Sequence, residues 1–121
     1  MILALAASFT CLVASVTDAD TLKCADGTRI RIAGINARER DGSCNHDPCP
    51  AMRHEQAKPI VERMVLHKRL TCEQVGTSYR RIVARCSLPG GADLSCSIIA
   101  TGAANRWDRY WRQYGMEPCD G

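Results

Sequence analysis

The stretch "VTDADTLKCADGTRIRIAGINARE", Val16 to Glu39, holds two short runs on either side of an Ala-Asp-Gly turn. In "TRIRIAGI", Ile30 and Ile32 fall on one face and Arg29 and Arg31 on the other. A period of two marks a strand with one face buried. "DTLKCA" reads as its partner strand, and upstream "SFTCLVAS" (Ser8 to Ser15) as a third, rich in β-branched and apolar residues. Downstream, Arg38 to Pro50 is a polar loop with Gly, Asn, Asp and Pro. "AMRHEQAKPIVERMVLHK" has a helical composition, with Ile60, Met64 and His67 at helical spacing. Pro59 opposes a continuous helix before it, so the helix is expected from about Lys58.

"RLTCEQV" and "RRIVARCSL" read as two further strands joined by "GTSY"; in the second, Ile82, Ala84 and Cys86 share a face. "LSCSIIAT" is a short helix that stops at Gly102, and "NRWDRYWRQYG" a short amphipathic one whose Trp spacing suits the edge of a core. The order β-β-β-α-β-β-α-α predicts an α+β, mainly β fold: a five-stranded Greek-key barrel of the OB type with about three helices.

A chain of 121 residues is one domain with a modest core. The expected division is an apolar leader or signal-peptide remnant over 1–8 and a single domain over 9–121. Hydrophobic content of 45% with 24% charge excludes wholesale disorder. No apolar run approaches the ~20 residues that cross a bilayer. The net charge of +3 resides mostly in Arg, clustered in "RIRIAGINARER", "YRRIVAR" and "NRWDRYWR". Guanidinium forks suit phosphate. Eight Cys in so short a chain point to a disulfide frame and an oxidising compartment, secreted or periplasmic.

Eight Cys allow 105 connectivities. Cys72 and Cys86 lie on the inward faces of the strands flanking "GTSY", which suits a cross-strand bridge. The pairing expected for the rest is Cys44 with Cys49, Cys96 with Cys119 and Cys11 with Cys24. "CNHDPC" also offers Cys44, His46, Asp47 and Cys49 to a zinc ion, but the spacing is loose and no second Cys pair accompanies it. His54 and His67 read as helix residues with no catalytic task.

"VTDADTL", "RIRIAGINARE", "SYRRIVA" and "GADLSCSIIATGAA" occur in the order and spacing of the thermonuclease, or staphylococcal-nuclease-like, domain, which the chain resembles from about Phe9 to Trp107. That family has an OB-type barrel. The resemblance implies that Asp20 is a carboxylate ligand of a catalytic Ca²⁺ and that Asp18 is an acid beside it. Asn36 stands in the place of the second metal carboxylate. Glu39 matches the acid that orients or deprotonates the attacking water, Arg31 and Arg81 the guanidinium groups on the scissile phosphate, and Tyr79 a tyrosine on a substrate phosphate.

These residue types suit phosphodiester hydrolysis. Charge gathers on the phosphoryl oxygens, so fixed cations and a nearby base lower the barrier. The implied activity is a monomeric, Ca²⁺-assisted nuclease of little sequence preference, acting on DNA and RNA with single strands or flexible ends favoured. The chain departs from the family pattern at several positions. Asn36 offers a neutral amide oxygen, so Ca²⁺ is expected to bind weakly and Asn36→Asp to raise both affinity and rate. Ala19 replaces a Gly, Arg38 a common Pro, and Ser78 and Arg80 the Asp and Gly of a turn; Arg80 is strained if that site needs φ > 0. The alternatives are an OB-type nucleic-acid-binding module that is weak or inactive because of Asn36, and a disulfide-stabilised interaction domain.

Overall fold

The structure, a computed structural model, describes residues 8–119. The leader expected over 1–8 therefore lies outside the described residues, except for Ser8. Strands β1 (Ser8–Asp18), β2 (Thr21–Cys24), β3 (Arg29–Ile32), β5 (Arg69–Ser78) and β6 (Arg81–Ser87) close into a barrel in the order β1-β2-β3-β6-β5. All neighbours are antiparallel except β3 and β6, which run parallel with Ile30 beside Ile82 and Ile32 beside Ala84. A two-stranded sheet pairs β4 (Ile35–Asn36) with β7 (Asn105–Arg106). Helices α1 (His54–Val65), α2 (Leu94–Thr101) and α3 (Asp108–Gln113) complete the α+β barrel fold that the strand order predicts. None of the helices is long and apolar enough to cross a membrane.

The alternation in "TRIRIAGI" places Ile30 and Ile32 wholly inside, with Val13, Leu22, Leu70 and Ala84. Helix α1 adds Ala57, Val61 and Val65 to this core, and α2 adds Leu94 and Ile98. A second, smaller cluster sits on the outer face of β3 and β6, where Ala33 and Val83 pack under Trp111 and Met116. The expected role of "WDRYW" at a core edge is met by Trp111, while Trp107 precedes α3 and is half-buried.

Helix α1 begins earlier than its sequence suggests, and Pro59 lies inside it. A proline there removes one bond, from its own position back to Glu55. Burial of the Ala57–Val61–Val65 face outweighs that loss. The N-terminus is also tied down, because the Arg53 amide donates to Gln56 Oε1 at 3.2 Å and His54 is buried. Ile60 and Met64 only border the core, and His67 falls beyond the helix with φ of 64°. At the Ser78–Arg81 turn the left-handed residue is Tyr79, with φ of 56°, and not Arg80.

All four expected disulfides are present: Cys11–Cys24, Cys44–Cys49, Cys72–Cys86 and Cys96–Cys119. The first and third lie within the core. Such a set is the mark of an oxidising, extracellular-type compartment.

Candidate functional site

On the outer face of the barrel, β3 carries Arg31 between Thr21 of β2 and Val83 of β6. A strand's outer face normally leaves an Arg in water, yet Arg31 is only 7% exposed. The C-terminal segment roofs this part of the sheet through Trp111 and Met116. The guanidinium is held from three sides. Nη1 donates to Ile32 O at 2.9 Å, Nη2 to Ile35 O at 2.8 Å, and Nη2 lies 3.3 Å from Asp20 Oδ2. A guanidinium has five N–H donors, so donors remain for a ligand.

Arg31 is on the wall of an open cleft of about 570 Å³, which Glu39, Tyr79 and Arg81 also line. The sequence-predicted residues 31, 39, 79 and 81 thus come together. Arg81, at the start of β6, is half-buried and donates through Nη2 to Ser78 Oγ at 3.2 Å and through Nη1 to Thr21 Oγ1 at 3.4 Å. Tyr79 is 96% exposed, its ring 5.9 Å from the Arg81 guanidinium carbon. Glu39 is exposed and accepts a 3.2 Å bond from Ser43 Oγ.

Asp20 stands behind this wall. Its Oδ2 accepts from the Ala37 amide at 3.0 Å as well as pairing with Arg31, and its Oδ1 accepts from Thr21 Oγ1 at 3.0 Å. A hydrogen-bonded chain therefore runs from Arg81 through Thr21 and Asp20 to Arg31 and fixes the spacing of the two arginines. Thr21 is absent from the sequence-predicted set. Its signal is the strand register that sets it opposite Arg31.

Asp18 and Asn36 face elsewhere. Asp18 Oδ1 lies 3.0 Å from Nε2 of His54, so this acid joins α1 to the first hairpin and gives His54 a structural partner. Asn36, 1% exposed, donates from Nδ2 to His46 O at 2.8 Å and accepts at Oδ1 from the Asn45 amide at 3.1 Å. It clamps the polar loop that Cys44–Cys49 closes. Arg38 holds the same loop through bonds of 2.7 Å from Nε to Pro50 O and from Nη1 to Gly42 O.

Aromatic rings form the opposite wall: Trp107, Tyr110 and Tyr114. Their positions, three and four apart, put them on one face of α3 and its flanks. Trp107 stacks with His46 at 5.3 Å and meets Tyr110 edge-on at 4.7 Å. Tyr114 has no counterpart among the sequence-predicted residues. Burial pushes its hydroxyl pKa above the ordinary value, Tyr110 adds to the rise, and Arg31 opposes it.

Ca²⁺ takes six to eight oxygen ligands, and carboxylates dominate its tight sites. Here the Asp20 carboxylate already serves Arg31, Thr21 and Ala37, and the Asn36 amide is committed to the loop. In this arrangement the residues do not fit the Ca²⁺ that the sequence resemblance implies. The cluster Cys44, Asp47 and Cys49 has metal-ligand spacing, but its two sulfurs are bonded to each other and are not thiolates. Comparison with protein-family models finds no match, and comparison with curated proteins finds none.

Proposed function

We propose that the protein is a secreted or periplasmic, monomeric phosphodiesterase of the thermonuclease-like kind, acting on single-stranded or frayed DNA and RNA. The observation that carries this reading is the meeting of Arg31, Arg81 and Glu39 in one cleft. Arg31 is held rigidly, and Arg81 is set beside it through Thr21. Such pre-placed donors stabilise charge as it develops on a phosphoryl group without reorganising. Glu39 is exposed in the cleft and carries the basic oxygen that would take a proton from an attacking water. In the reaction the water oxygen bonds to phosphorus, its proton passes to Glu39, and the P–O5′ bond breaks. The departing oxygen takes its proton from solvent.

A second reading, strand binding without cleavage, is favoured by the commitments of Asn36 and Asp20. One experiment decides between them. Labelled (dT)12 and plasmid DNA are incubated with the oxidised protein, once in Ca²⁺ and once in chelator. Cleavage that drops by about 10²-fold or more in Glu39→Gln, with binding retained, supports hydrolysis. Salt-sensitive binding without cleavage in either buffer supports the second reading. Neither binding nor cleavage, or full activity in both Glu39→Gln and Arg81→Ala, removes the assignment.

A further inference from the structure

The three side chains that the sequence resemblance places at or beside a divalent cation are bonded within the protein. Asp18 pairs with the buried His54, Asn36 clamps the polar loop, and Asp20 pairs with Arg31 while accepting from Thr21 and the Ala37 amide. Two backbone oxygens around the same guanidinium, Ile32 O and Ile35 O, accept from it as well. Among the described residues no buried side-chain oxygen or nitrogen lacks a hydrogen-bond partner, so the interior holds no orphaned ligand atom.

Charge points the same way. Ca²⁺ sites gain affinity with the number of anionic ligands. In the cleft and the wall behind it, Asp20 and Glu39 stand against Arg31 and Arg81, which leaves no net negative charge for a dication to neutralise. Displacing Arg31 to admit one would strip a buried guanidinium of its counter-ion, which is costly. A guanidinium fixed on three sides is itself a permanent positive charge in a set place, which is what a phosphate site needs.

We propose that the phosphate site works without a divalent cation, and that Asp20 is a positioning residue that fixes Arg31 as the resident cation. The ligand class is a phosphodiester whose non-bridging oxygens meet Arg31 and Arg81 directly. The proposal rests on the reading of the cleft given above. It applies to binding with or without cleavage, and the proton transfer to Glu39 is unchanged by it.

The test has two parts, both on the oxidised protein. Ca²⁺ is titrated calorimetrically into the native chain and into Asp20→Asn. No saturable uptake is expected up to about 10 mM, above the roughly 10⁻⁴–10⁻³ M range of weak extracellular sites. Binding of fluorescein-labelled (dT)8 is then measured in Ca²⁺ and in chelator at equal ionic strength, and the two native affinities are expected to agree. In Asp20→Asn the affinity falls about tenfold, by the same factor in both buffers, because the grip on Arg31 is lost. An Asp20 that acted only through its charge would, once neutralised, raise the affinity for a polyanion. If circular dichroism shows Asp20→Asn unfolded, Thr21→Val takes its place, since it removes one bond to Asp20 and one from Arg81 and is expected to act in the same direction. The proposal is overturned, with the phosphate reading left standing, if Asp20→Asn abolishes a saturable Ca²⁺ uptake, if (dT)8 binding requires Ca²⁺, or if the variant binds (dT)8 more tightly. A native protein that holds no (dT)8 in either buffer fails the cleft reading and this one with it.

Discussion

At the scale of single residues, Asn36 changes meaning most between sequence and structure. A carboxylate there could accept from the Asn45 amide but could not donate to His46 O, as Nδ2 does at 2.8 Å. Asn36→Asp would place an anion against a carbonyl in a buried site, at a cost of about 1–3 kcal/mol. The expected outcome in urea denaturation is a lower midpoint with no recovery in Ca²⁺. A midpoint restored by Ca²⁺ would instead reveal a ligand held by the new carboxylate. From sequence, Asn36 reads only as a weak metal donor, because its two backbone partners lie in an irregular loop that no periodicity describes. Arg31 and Arg81 are singled out in the sequence by the resemblance to the thermonuclease-like pattern, since an Arg on a strand's outer face would by itself read as solvated. Their coupling through Thr21 is not, since it depends on strand register. Asp18 likewise reads as an acid beside Asp20, and its true neighbour His54 comes from a helix 36 residues later.

Among the elements, the corner between β3 and β4 decides whether the cleft has a second wall. Gly34 takes φ of 76°, and a Cβ there would come within 2.7 Å of Met116 Sδ and 2.8 Å of Trp111 Cε3. The same residue accepts the Trp107 amide at 2.8 Å, so it holds the start of α3 as well as its body. Gly34→Ala adds a left-handed backbone penalty to overpacking, together about 2–4 kcal/mol. Trp fluorescence should show Trp111 becoming more exposed, and the urea midpoint should fall; an unchanged spectrum and midpoint would refute this packing role. Strands β3 and β6 are legible in the sequence because apolar and basic residues alternate in them, and β1 through its β-branched and apolar content. Helix α1 is less so. Pro59 signals a break, yet the face made by Ala57, Val61 and Val65 is buried so fully that one lost hydrogen bond does not stop the helix.

For the molecule as a whole, covalent closure supplements a small core. Cys11–Cys24 and Cys72–Cys86 span 13 and 14 residues and lie in the barrel interior. Loops of this size contribute roughly 3 kcal/mol each by the chain-entropy account, against a total stability of about 5–15 kcal/mol for domains of this kind. Reduction with dithiothreitol is therefore expected to abolish the cooperative melt at 37 °C when followed by circular dichroism; a reduced protein that melts like the oxidised one would contradict it. The barrel is sealed where β3 meets β6, and Ile30 and Ile82 stand 52 positions apart. Such a distant pairing is slow to find. During synthesis the hairpin bearing Asp20 and Arg31 leaves the ribosome long before its partner strand exists. Arg31 and Arg81 are therefore strangers until late in the chain's emergence, and a nascent fragment that ends before β6 would lack part of the cleft's wall.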